Sequence, residues 1–162
     1  MQSLLSLVIL LTPTSASGAY KTCSPNFPHG VRGTLRTVVI VGYQYRTEGD
    51  IEINEQRRAE WLRSSLSDQA SANPVGLQFV YPSPGQAWDV QIIVLVSSRG
   101  RDSTGHAQAY WATARVYGMG LKGTDLFNFT THAYEPANLS GIFSEASNTI
   151  YSYMANGWSC GR

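Results

Sequence analysis

The 162-residue sequence predicts an α+β fold, a mixed, mostly antiparallel β-sheet with two helices packed on one face. Runs rich in β-branched and aromatic residues predict five strands, and two stretches carry apolar residues at helical spacings of three and four. The order along the chain is β-α-β-β-β-β-α. Two helices on one face is the economical way to bury both apolar stripes in one core.

The first residues predict export. An apolar run from Leu4 to Leu11 is followed by small residues from Thr14 to Ala19, which is typical of a secretory signal peptide over residues 1–19. No Lys or Arg precedes the run, so a buried N-terminal strand or helix is the alternative. We expect residues 20–162 to form a single globular domain, in which residues 20–33, with two prolines and two glycines, form an irregular N-terminal arm.

Cysteine usage and charge narrow the class of protein. Cys23 and Cys160 are the two cysteines, one near each end of the exported chain, and they predict one disulfide in an oxidising compartment. The spacing is not that of a redox or zinc motif. A net charge of +1 favours neither nucleic acid nor an anionic membrane as a partner.

The first half of the domain predicts a strand, a helix and a short strand. Residues 34–47 (TLRTVVIVGYQYRT) are apolar on both faces at their centre, as in a strand inside a sheet. Residues 53–71 predict an amphipathic helix capped by Asn54 and ended by Asn73 and Pro74. Its apolar stripe consists of Ala59, Leu62, Leu66 and Ala70. Residues 76–82 predict a strand that Pro82 stops.

The second half predicts a three-stranded meander and a closing helix. Its strands are residues 90–98, 107–117 and 124–131, and Gly118, Gly120 and Gly123 mark the second turn. Residues 138–156 predict the final helix. Its stripe consists of Leu139, Ile142, Phe143, Ala146, Ile150 and Tyr153.

The connection between the first two strands of the meander is the candidate functional loop. It carries Arg99, Arg101, Asp102, Ser103 and His106, which we interpret as the exposed tip of a hairpin and a possible binding loop. Arginine suits such a role because it can clamp a carboxylate through two hydrogen bonds. The alternative is nucleophilic catalysis by Ser103 with His106 and Asp102, although a catalytic triad normally gathers from separate elements.

Metal and cofactor chemistry has little support in the sequence. His29, His106 and His132 lie far apart, and the pair His132 and Glu135 matches ligand spacing only at chance level. We therefore predict no metal site and no cofactor. We interpret the acidic residues just before the first helix as favourable charge at its positively charged N-terminus, with acid–base chemistry or calcium binding as the alternative. They are Glu48, Asp50, Glu52 and Glu55.

Several stretches resemble small envelope domains of bacteria. They are "RTVVIVGYQY", "RRAEWLRSSLSD", the segment from "DVQIIVLVSS" through "ARVYGMGLKGTDLFNFTTHAY", and "NLSGIFSEASNTIYSYM". Over residues 34–156 this pattern is similar to the amino-terminal domain of TolB and to the related domain of lipoprotein activators of penicillin-binding proteins. A middle helix of those domains is missing between Tyr81 and Trp88. The resemblance implies a non-enzymatic protein that docks onto partners in the cell envelope, and it transfers no functional residue.

Three hypotheses for function follow. The favoured one is an exported, non-enzymatic binding or scaffolding domain, periplasmic or extracellular, with a protein partner and with oligomerisation left open. The second is a small secreted hydrolase that uses residues 99–106. The third is a secreted eukaryotic glycoprotein, because Asn128 and Asn138 both begin N-glycosylation sequons.

Overall fold

The computed structural model describes residues 34–73, 76–118 and 124–159. The strands are β1 (Leu35–Tyr43), β2 (Leu77–Val80), β3 (Val90–Arg101), β4 (Ala107–Gly118) and β5 (Thr124–Thr130), and the helices are α1 (Glu55–Ala72) and α2 (Leu139–Ser159). A short 3-10 turn, Pro136–Asn138, leads into α2. The predicted α+β class and the element order are confirmed.

The five strands form one mixed sheet in the order β2-β1-β3-β4-β5. β1 runs parallel to both β2 and β3, whereas β3, β4 and β5 form the predicted antiparallel meander. β1 therefore lies inside the sheet, as its apolar run predicted.

Both helices pack on the same face of the sheet, α1 on β1 and β2 and α2 on β4. Leu62 and Leu66 of α1 share one core cluster with Ile142, Phe143 and Ile150 of α2. All five side chains are fully buried. The two predicted apolar stripes thus meet in a single core between the helices and the sheet.

Local chemistry sets the ends of the elements. The Asn54 side chain accepts a hydrogen bond of 2.9 Å from the N–H of Arg57, so the predicted N-cap of α1 is confirmed. β1 ends at Tyr43 instead of residue 47. Tyr45 has a φ of 65°, in the left-handed region, and a strand cannot continue through that conformation. α2 extends to Ser159, three residues beyond the predicted end.

The predicted signal peptide, the N-terminal arm and both cysteines lie outside the described residues. So does most of the second turn of the meander. No helix within the described ranges is both long enough and apolar enough to cross a membrane.

Candidate functional site

The residues singled out in the sequence lie at the exposed end of the β3–β4 hairpin. Arg99 and Arg101 close β3, and Asp102, Ser103 and His106 form the turn before β4. All five residues are solvent-exposed. The turn is the tight connection that its glycine and small polar residues predicted.

Asp102 organises this turn by local hydrogen bonds. Its carboxylate accepts bonds from the Thr104 N–H at 2.8 Å, from the Thr104 hydroxyl at 2.6 Å and from the His106 N–H at 3.0 Å. The hydrogen bond from the Thr104 hydroxyl contributes most to lowering the pKa of Asp102 below its ordinary value, and the bond from the His106 N–H contributes next. A carboxylate bound to its own turn is a structural cap of the hairpin.

Thr104, not Ser103, is the hydroxyl residue in contact with the histidine. The Thr104 hydroxyl lies 2.6 Å from His106 Nδ1, and Asp102 lies 4.0 Å from the same nitrogen. The sequence did carry a signal for Thr104, because residues two positions apart lie on the same side of an extended segment and Thr104 stands midway between Asp102 and His106. The interpretation that chose Ser103 overlooked this spacing. A hydrolase that used this turn would therefore have Thr104, not Ser103, beside His106.

Arg101 is held inward by a carboxylate from a distant part of the chain. Its guanidinium lies 2.6 Å from Asp50, whose side chain has no exposed surface. Asp50 also accepts bonds from the Ser98 hydroxyl at 2.9 Å and from the Thr47 N–H at 2.8 Å. Burial raises the pKa of Asp50, but the bonds from Thr47, Arg101 and Ser98 outweigh it, so the net pKa lies below the ordinary value.

This ion pair fastens the β1–α1 loop to the hairpin. Gly49, with φ 84°, packs so closely that a Cβ there would lie 2.3 Å from the Gly105 carbonyl oxygen. The Tyr110 hydroxyl accepts a bond of 2.7 Å from the Ile51 N–H in the same loop. Arg101 and Asp50 therefore serve this joint. Arg99, the other arginine of the hairpin, has no such bond to Asp50.

A second polar cluster, missed in the sequence, joins the segment after β5 to α2. Glu145 accepts bonds from the Tyr134 hydroxyl at 2.9 Å and from the His132 N–H at 3.1 Å, and it lies 2.9 Å from His132 Nδ1. Gly141 makes room for Tyr134, because a Cβ there would lie 2.4 Å from its ring. The carboxylate that contacts His132 thus belongs to Glu145 and not to Glu135. Among the described residues no group of three metal-ligating side chains gathers.

Strand register shows what lies on the face of the sheet opposite the helices, the helix-free face. Its central residues are apolar, with Ile40 of β1 opposite Ile93 of β3 and Gly42 opposite Leu95. A Cβ at Gly42 would lie 3.3 Å from the Leu95 side chain, so Leu95 extends over β1. These side chains are not part of the core cluster. Ile40 is 37% exposed, and Ile93 and Leu95 are half-buried.

The helix-free face continues across β4 to the hairpin. Ser97, two residues after Leu95, lies on the same face of β3. Trp111 of β4 is opposite Ser97 and is half-buried. Arg99, two residues beyond Ser97, lies on the same face and lines with Trp111 a shallow depression of about 350 Å³. Arg99 of the predicted binding loop thus borders an apolar surface that was not predicted from the sequence.

Two further predictions concern modification. Asn128 on β5 and Asn138 at the end of the 3-10 turn are both exposed, so each sequon is accessible, and glycosylation stays a prediction. The predicted disulfide between Cys23 and Cys160 lies outside the described residues and also stays a prediction.

Comparisons with known proteins give only structural likenesses. No protein-family model matches the sequence, and no curated protein matches it. The solved PelC dodecamer from Paraburkholderia phytofirmans is similar with a TM-score of 0.45 and 14% identity, over 80% of this chain and 92% of that one. The hypothetical protein CT253 from Chlamydia trachomatis is similar with a TM-score of 0.47 and 11% identity, over 74% of this chain and 98% of that one.

A third similar structure is the uncharacterized lipoprotein B from Nitrosomonas europaea, with a TM-score of 0.33 and 10% identity, over 83% of this chain and 94% of that one. All three neighbours are bacterial proteins, and one is a lipoprotein. With TM-scores below 0.5 and identities of 14% or less, they assign no function to the chain.

Proposed function

We propose that this chain is an exported, non-enzymatic domain that binds a protein partner within a bacterial envelope or extracellular assembly. The partner binds on the helix-free face of the sheet. The observation that carries the proposal is the apolar surface formed there by Ile40, Ile93, Leu95 and Trp111, which no described helix covers.

The apolar residues on the helix-free face are unusual for a sheet that has helices on one face only. A sheet with one solvated face normally alternates apolar residues inward and polar residues outward. β1 and β3 instead carry aliphatic residues on both faces, as strands buried on both sides do. A contiguous exposed apolar patch rimmed by polar residues marks an interaction surface.

The rim of the helix-free face indicates the chemistry of the partner. Arg99 lies at the hairpin end of this face, and Arg115, which is opposite Ile93 in the register of β3 and β4, is also exposed. Arginine pairs with carboxylates through two parallel hydrogen bonds and is enriched at binding hot spots. The partner we propose therefore presents an apolar surface bordered by Asp or Glu side chains.

The proposed location, outside the cytoplasm in an envelope or extracellular assembly, is inferred from the sequence. The apolar N-terminal run followed by small residues supports export. The resemblance of residues 34–156 to the TolB amino-terminal domain and to penicillin-binding-protein activators supports docking within the cell envelope.

Matched substitutions test the proposal. Trp111→Ser and Arg99→Glu alter the helix-free face, and Trp61→Ser alters an apolar side chain on α1 that is 42% exposed and serves as the control. We expect the first two to reduce retention of the partner, recovered from the native envelope fraction with the tagged mature protein, at least tenfold. Trp61→Ser should leave retention unchanged. Equal retention by all three variants would overturn the proposal.

A further inference from the structure

The edge of β1 next to β2 is only partly paired. β2 has four residues and pairs with Leu35–Val38, whereas β1 continues to Tyr43. Within the described ranges, no strand pairs with this side of β1 beyond Val38. A strand edge of this kind presents backbone N–H and C=O groups to an incoming chain.

Hydrogen-bond direction identifies the groups on this edge. The Leu35 N–H donates to Gly76 next to β2, whereas the Arg36 carbonyl accepts from Asp89 and the Gln44 N–H donates to Val96, both on the β3 side. Successive residues of a strand direct their backbone groups to opposite sides. Val41 and Tyr43, with the parity of Leu35, therefore direct their backbone groups away from β3.

A proline explains why β2 stops. Thr37 lies opposite Phe79, so the same register brings Val39 opposite Tyr81. In a parallel ladder the Val39 carbonyl would then accept from the N–H of residue 82. That residue is Pro82, which has no N–H, and the ladder ends.

A groove of about 360 Å³ runs along this edge. Val39 and Val41 of β1 and Ala59 of α1 give it an apolar lining, and Glu55 and Glu60 lie along its α1 wall. Among the described lining residues Arg63 is the only cation, and its guanidinium stacks on the Tyr81 ring at 3.8 Å and donates to the Tyr81 hydroxyl. Its charge offsets only one of the two glutamates. The wall therefore favours a positively charged occupant.

The other side of the groove meets the helix-free face at Ile40. An added strand would place alternate side chains on the two faces of the sheet. Those on the α1 side would meet Val39, Ala59 and the two glutamates, which suits lysine with its apolar stem and charged end. Those on the other side would meet Ile40, which suits an aliphatic residue.

We infer that the β1 edge binds an extended segment of a partner polypeptide, with alternating basic and aliphatic residues, as an added strand. The inference rests on the proposed function, since it specifies how a partner chain attaches beside the helix-free face. The main-chain bonds would supply affinity, and the alternating side chains would supply specificity.

The test uses the full mature chain and an acetylated peptide of alternating valine and lysine as the probe. We expect the peptide to slow hydrogen exchange at the amides of Val41 and Tyr43. A control peptide of the same sequence, with every backbone nitrogen methylated, keeps its side chains but has no N–H group to donate to the β1 edge and should give no protection. Protection by both peptides, or by neither, would overturn the inference.

Two variants separate the edge from the helix-free face. Glu55→Gln combined with Glu60→Gln should weaken binding of the valine–lysine peptide roughly fivefold, the effect of losing two exposed ion pairs. Trp111→Ser should leave peptide binding unchanged. The opposite pattern would overturn the inference. Failure of the peptide, with partner capture still dependent on Trp111, would remove the inference and leave the proposed function standing.

Hydrogen exchange in the protein without peptide tests whether the β1 edge is unoccupied. The Val41 amide should exchange rapidly without peptide. Slow exchange at all protein concentrations would show that the chain's own residues fill the edge, and protection that grows with concentration would show that a second copy does. Either result would overturn the inference.

Discussion

The two faces of the sheet are built from the same strands but are buried by different means. On the helix-covered face, Ile92 and Val94 of β3 are fully buried in the core with α1 and α2. On the helix-free face, the alternating neighbours Ile93 and Leu95 remain half-buried. The comparison teaches that apolar composition alone does not define the core. The aliphatic residues under the helices are fully buried, whereas burial on the helix-free face is uneven. Val38 of β1 is 1% exposed there, but Ile40, Ile93 and Leu95 keep exposed surface that a partner can bind.

The largest expected effect lies on the helix-covered face. Leu66→Ala removes a fully buried side chain of α1 from the core. We expect the free energy of unfolding to fall by about 2–5 kcal/mol, the usual cost of such a cavity. Urea denaturation measures it. An unchanged midpoint would show that α1 does not depend on this face for its stability.

A smaller effect is expected at the joint between the β1–α1 loop and the hairpin. Asp50→Asn removes the charge that Arg101, Ser98 and Thr47 bind, and should lower the free energy of unfolding by about 1–3 kcal/mol at pH 7. Because the folded pKa of Asp50 is depressed, its stabilisation is complete above the unfolded pKa of about 3.9 and is lost as pH falls through the folded pKa.

Denaturation across pH isolates that contribution. The variant should lose less stability than the parent chain between pH 5 and acid unfolding, since it has no carboxylate to protonate at position 50. Parallel curves for the two proteins would contradict the structural account of Asp50.

These two regions also show what the sequence could predict. The stripe through Leu62 and Leu66 is a local pattern, so it predicted α1 and the face that α1 buries. The contact between Asp50 and Arg101 joins residues 51 positions apart. Glu145 meets His132 only because α2 returns to the end of β5. Such contacts depend on topology, and the parallel placement of β1 beside β3 was not readable from periodicity.

The helix-free face should tolerate what the helix-covered face does not. Ile93→Ala removes a half-buried side chain, and we expect a loss of less than about 1 kcal/mol in the isolated domain. Ile92→Ala, at the adjacent buried position, serves as the control and should cost several times more. Equal losses would show that the helix-free face is covered within the domain itself.

The smallest effect is expected at the hairpin tip. Ser103→Ala should change the free energy of unfolding by no more than about 0.5 kcal/mol, as exposed substitutions do. Thr104→Ala should cost more, because it removes the hydroxyl that bonds to Asp102 and contacts His106. Thermal melts of the two variants would compare them. A hydrolytic activity lost in Thr104→Ala or His106→Ala would revive the enzyme hypothesis.

Site-specific photo-crosslinking shows whether the helix-free face binds a protein partner in the native envelope. A photoreactive residue is placed at Trp111 on the helix-free face or, as the control, at Trp61 on α1, and the protein is illuminated in its native envelope. We expect a discrete protein adduct from position 111 that Arg99→Glu abolishes, and none from position 61. An adduct from position 61 alone, or an adduct from position 111 that Arg99→Glu leaves unchanged, would contradict the proposed function.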